Sequence, residues 1–140
     1  MDPLSITAGI LAILGAGGKV GNGLKKIIAL KHAPDALLAL NNEVTDVQIA
    51  VQDVDDLLRR YTDLSKTQIP IIVIRSLQQT KKTVLLVECF IAYDLTTIEA
   101  GRQRVDKSEW FQATSKVQDL KTKLQADKSS LLLSLGVLTS

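Results

Sequence analysis

The chain has 140 residues, of which 46% are hydrophobic and 23% charged, and its 17 basic and 15 acidic side chains leave a formal net charge of +2. This length suits one domain that buries a core without staples, and so small a charge argues against a dedicated nucleic-acid binder, which needs a basic excess to neutralise phosphates. Three prolines and abundant apolar residues argue against disorder, while the single cysteine, Cys89, excludes an internal disulfide and fits a reducing cytosol.

The first predicted element is a helix from Pro3 to about Lys31. Between Pro3 and Gly18 there is no charge, and from Lys19 to Lys31 there are four lysines and no acid. Ile6, Ile10, Ile13, Gly17, Val20, Leu24 and Ile27 follow 3-4 spacing and define one buried stripe. Leu4, Leu11 and Leu14 fall off that stripe and are expected at the surface, so the front half is apolar nearly all round. Six of the eight glycines also lie here. At roughly 0.8–1 kcal/mol each against alanine they weaken the helix, which then depends on its surroundings for order.

A transmembrane anchor, a secretory signal and a phosphate loop all fit this stretch less well. The uncharged run spans about 24 Å as a helix, short of the roughly 30 Å of a hydrocarbon core. A secretory signal would carry a positive N-terminal region, and Asp2 stands there instead. The glycines imitate a phosphate loop, but Val20 occupies the third glycine position of GxGxxG. A Walker loop would meet Ile13 in place of its first glycine and Val20 in place of its hydroxyl.

Pro34 ends the first element, and a second helix is expected from Asp35 to about Asp63 on the stripe Leu37, Leu40, Val44, Val47, Val51, Val54, Leu58 and Tyr61. Its acids Glu43, Asp46, Asp53 and Asp56 lie on the other face. Residues 1–34 carry a net +3 and residues 35–64 a net −5, so the first two helices are expected side by side, with the lysines of one facing the acids of the other. After a loop ending at Pro70, Leu77, Val84, Ile91 and Ile98 recur every seven residues and predict a third helix over about 71–100. Cys89 lies in the apolar run VLLVECFIAY and is expected in the core. The fourth helix, about 108–138, opens with Ser108 as N-cap and follows Trp110, Val117, Leu120, Leu124, Leu131, Leu135 and Leu138, a stripe that Asp127 and Lys128 interrupt. The fold class is all-α, a four-helix bundle, mostly antiparallel, in a single domain.

Candidates for catalysis are sparse. His32 is the only histidine and has no metal-spaced partner, so neither enzyme activity nor a cofactor or metal is expected.

The two ends of the chain carry a family resemblance. MDPLSITAGILAIL followed by GKVGNGLKK, and Trp110 followed by KVQDLKTKL and KSSLLLSLGVL, resemble the HeLo-like N-terminal effector domain of fungal NLR-type (STAND) proteins. The resemblance covers nearly the whole chain and is firm over residues 1–31 and 108–138. It implies an effector of programmed cell death and heterokaryon incompatibility, cytoplasmic until activation and then at the plasma membrane. If the chain is a domain of a longer parent protein, a nucleotide-binding domain would follow it there, and the domain would self-associate on activation. On this basis Leu4, Ile6, Ile10, Leu11, Ile13 and Leu14 are the expected membrane-inserting residues, and Lys19, Lys25, Lys26 and Lys31 the expected contacts to anionic headgroups. The alternative is a helical interaction module that pairs with a partner protein without touching lipid.

Overall fold

The computed structural model describes residues 3–29, 35–62, 69–95, 97–99, 102–104 and 107–139. Four helices, α1 (Pro3–Ile28), α2 (Asp35–Thr62), α3 (Ile71–Cys89) and α4 (Lys107–Thr139), pack as an all-α four-helix bundle. Gln48 and Asn41 of α2 lie against Gly17 and Gly21 of α1, so these two helices run antiparallel. Ser134 and Ser130 meet Ser76, and Lys116 sits over Phe90, so α3 and α4 do the same. The two hairpins stand side by side, with Ile6 near Leu77 and Gly23 near Ile91, which makes α1 parallel to α3. Contacts run α1–α2, α2–α4, α4–α3 and α3–α1, with α1 and α4 across a diagonal.

Each 3-4 stripe points inward. Ile10, Ile13, Val20 and Leu24 of α1 meet Leu37, Leu40, Val44 and Val51 of α2, Val73, Val84 and Val87 of α3, and Leu124 and Leu131 of α4 in one core. Residues spaced by three and four occupy one side of a helix, and burying that side against three others supplies most of the stability.

Several expectations are corrected. The first helix closes at Ile28, with a last turn in which the Ala29 amide donates to the Lys25 carbonyl; Lys31 lies outside the described residues. The third helix does not reach residue 100. It is α-helical to Cys89, passes through a π-helical segment (Phe90–Leu95), and gives way to a two-stranded antiparallel hairpin, β1 (Thr97–Glu99) and β2 (Arg102–Arg104). The helical heptad ends at Ile91 and does not include Ile98. Thr97 and Ile98 are β-branched, and the register pairs Glu99 with Arg102, which leaves only Ala100 and Gly101 between the strands. A glycine in a two-residue connection is a hairpin signature.

Cys89 is exposed, not core. Within its apolar run, Val84, Val87, Phe90 and Ile91 take the inward positions, and Leu85, Leu86 and Cys89 are left on the outside. The fourth helix begins at Lys107, one residue before Ser108.

Candidate functional site

The expected membrane-inserting residues separate into three groups. Ile6, Ile10 and Ile13 are core residues with exposures of 5%, 2% and 1%. Leu11 is on the surface at 59%. Leu14 is half-buried, against expectation: it follows Ile10 by four and precedes Gly17 by three, which sets it on the edge of the stripe nearest α2, where Gln48 Nε2 donates to its carbonyl at 3.5 Å. The side chain of Leu4 lies outside the described residues. Among its described side chains, α1 in its docked position therefore presents one large apolar side chain outward, Leu11, among Ala8, Gly15 and Gly18. Single exposed leucines are ordinary on protein surfaces, so insertion of the isoleucines requires α1 to leave the bundle.

Two kinds of glycine coexist on α1. A Cβ on Gly17 would lie 2.7 Å from Gln48 Nε2, and one on Gly23 would lie 3.1 Å from Ile91 Cγ2, so both glycines make room for a side chain of a neighbouring element. A Cβ on Gly9, Gly15 or Gly18 would meet nothing within 4 Å. These three lower the helicity of α1 by about 2.5–3 kcal/mol against alanine with no packing gain in return. Lys19, Lys25 and Lys26 are exposed, and among the described residues none forms an ion pair.

Among the described residues no acid of α2 pairs with these lysines. Helices α1 and α2 do pack together, but Glu43 and Asp46 converge on Lys128 of α4, whose Nζ lies 3.2 Å from a carboxylate oxygen of each; Gln125 donates to Glu43 at 3.2 Å. Bonds to Asp46 and then Glu43 raise the Lys128 pKa above its ordinary value. Charge complementarity thus joins α2 to α4.

The folded topology reveals a second feature, which requires knowing how the helices are ordered. Because α1 is parallel to α3 and α4 is antiparallel to it, the uncharged stretch 3–18 of α1 lies at the same end of the bundle as the uncharged stretches 69–74 and 129–139. Leu11, Ile71, Leu132, Leu133 and Val137 are exposed there. Charges at this end come from the last turns of α2, among them Asp55 and Arg59, which pair at 3.1 Å, and from α3, where Arg75 lies beside Ile71 and Ser130, and Lys81 and Lys82 lie beside Ile6 and Gly9. Among the described residues no helix is long and apolar enough to cross a membrane.

Behind this end runs a buried polar seam that the sequence pattern did not single out. Asp127 and Ser134 do not interrupt the α4 stripe; they occupy core positions of it, at 5% and 0% exposure. Ser134 and Ser76 hydroxyls are 3.2 Å apart and share the Ser130 carbonyl, while Thr80 donates to the Ser76 carbonyl at 2.7 Å. Asp127 bonds to Thr83 but keeps Oδ2 without a partner, and burial raises its pKa. The Thr83 hydroxyl also lies 3.1 Å from the Gln79 carbonyl. One hydroxyl proton cannot serve both acceptors, whereas a protonated Asp127 can itself donate to Thr83.

Comparison with models of known protein families, with curated proteins and with solved structures returns no match.

Proposed function

We propose that this bundle is a membrane-targeting effector domain of regulated cell death, of the kind used by fungal NLR-like or heterokaryon-incompatibility systems, and that it acts without enzymatic chemistry. The observation that carries this proposal is the meeting of three uncharged stretches at one end of the bundle, with exposed Leu11, Ile71, Leu133 and Val137 among them. In the proposed mechanism this end meets an anionic membrane, and α1 leaves its place between α2 and α3. Its segment 3–18 enters the bilayer, with Ile6, Ile10 and Ile13 now facing lipid and Lys19, Lys25, Lys26 and Lys31 held at the headgroups. One such helix is too short to hold alone, so several self-associate, and Ala8, Ala12 and Ala16 permit close helix approach. The protein would be cytoplasmic before this step and at the plasma membrane after it.

The test is a reversible lock. A Cβ on Gly17 would lie 2.9 Å from Gln48 Cγ, close enough for Gly17→Cys and Gln48→Cys to form a disulfide, with Cys89→Ser removing the exposed thiol. The reduced protein is expected to release dye from phosphatidylserine-containing liposomes and the oxidised protein to release none. Equal leakage from both forms sinks helix release. A second reading, an interaction module without membrane activity, draws on Leu132, Leu133 and Val137, exposed at 55%, 64% and 42% on α4. It takes over if neither form sediments with anionic liposomes while both self-associate.

A further inference from the structure

Between the first turns of α1 and the middle of α3 lies a groove of about 500 Å³, within the range of small-molecule sites. Its walls are Ile6 and Gly9 on one side and Ile74, Leu77 and Leu85 on the other, with the polar Gln78, Lys81 and Lys82 also lining it. The groove is wide at position 9, where a Cβ added to the glycine would meet nothing within 4 Å. Among the described lining residues there is no acid, and neither lysine forms an ion pair among the described residues. A pocket with apolar walls and two free cations is complementary to a molecule with a hydrocarbon body and an anionic head.

We infer that the α1–α3 groove binds one free single-chain anionic amphiphile, a long-chain fatty-acid carboxylate, with its chain against Ile6, Gly9 and Leu77 and its carboxylate at Lys81 and Lys82. The groove is too small to seat a partner helix, since its described lining is eight residues against the roughly 20–30 that each side of a stable protein interface contributes. It does suit one flexible chain. An occupant touching both α1 and α3 binds only the docked arrangement, so it stabilises that arrangement by mass action. The inference stands whether or not the domain acts at membranes.

The experiment uses the full chain and monomeric oleate below its micelle concentration, with binding followed by equilibrium dialysis and by melting temperature. One oleate per chain is expected, with a rise in melting temperature. Gly9→Leu should fill the groove without disturbing the fold and weaken binding at least about tenfold, as expected for lost apolar burial. If Gly9→Leu proves unstable, Leu85→Glu places an acid on the partly exposed wall and should have the same effect. Lys81→Ala with Lys82→Ala should weaken oleate roughly threefold to tenfold, in keeping with exposed ion pairs, and leave uncharged methyl oleate unaffected. The inference is overturned if oleate does not bind, or if it binds both filled variants like the parent. It is also overturned if only phosphatidylserine vesicles, and not monomeric oleate, show the dependence on Gly9.

Discussion

At position 127 a carboxyl group stands where the α4 stripe calls for a leucine, and its surroundings explain its titration. The Thr83 hydroxyl of α3 faces it, Oδ2 lacks a partner among the described residues, and burial raises its pKa from 3.8, opposed only by the bond to Thr83. The native state then holds this proton at pH values where the unfolded chain has released it. The residue's contribution to stability accordingly falls as pH rises from about 3.8 to the higher native value, and it stays unfavourable at neutral pH. Asp127→Asn should raise the melting temperature at pH 7, and the difference from the parent should shrink as pH approaches 3.8. An unchanged melting temperature at pH 7 would show that Asp127 is ionised there at no cost. The glycines of α1 allow an opposed pair of predictions. Gly15→Ala and Gly18→Ala point a methyl into open space and should each add about 0.4–1 kcal/mol in urea denaturation. Gly17→Ala must displace the end of the flexible Gln48 side chain from its 3.5 Å bond to the Leu14 carbonyl and should lose up to about 1 kcal/mol.

Among the elements, the helices are legible wherever a 3-4 stripe is unbroken, and the bounds of α2 and α4 agree with the expected ones to within one residue at each end. The end of α3 is not, because Ile98 continues a heptad while Thr97 and Gly101 favour a hairpin, and nothing in a one-dimensional pattern ranks the two. Asp127 escapes the pattern for a related reason: a charged residue on an apolar stripe reads as a break, although its spacing from Leu124 and Leu131 is that of a core position. At the candidate site, burial of Ile10 and Ile13 and exposure of Leu11 follow from periodicity, whereas the meeting of residues 3–18 with 129–139 depends on which helices are neighbours. The same holds for Lys128, whose partners lie more than 80 residues away. Lys128→Ala should cost up to about 1 kcal/mol, less in high salt. With its pKa raised above 10.5, the contribution of this lysine is complete below that value and is lost as pH rises through the native one. A chemical-denaturation series at two salt concentrations, repeated at neutral and strongly alkaline pH, checks both statements.

For the molecule as a whole, stability is unevenly distributed among the four helices. Helix α1 touches α2 and α3 and lies diagonal to α4, and it alone carries three glycines that no packing requires. Helix α2 packs on both α1 and α4, is held to α4 by Lys128, and has no glycine at all. A partial opening that frees α1 would forfeit the burial of Ile6, Ile10, Ile13, Val20, Leu24 and Ile27 but leave the contacts of α2, α3 and α4 in place. Such an opening would be a cooperative sub-global unit with a free energy below that of complete unfolding. Native-state hydrogen exchange should therefore show α1 amides, especially those between Ile10 and Val20, exchanging through an opening that costs less than the opening seen at Val44, Val47 and Val51. Gly15→Ala with Gly18→Ala should slow α1 exchange by roughly fourfold to thirtyfold, since about 0.8–2 kcal/mol is added to that opening alone. The same double variant should release less dye from anionic liposomes if freeing α1 limits the rate. If α1 and α2 exchange at the global rate in the parent, the helix is not separately labile, and an activation step that spares the rest of the bundle loses its physical basis.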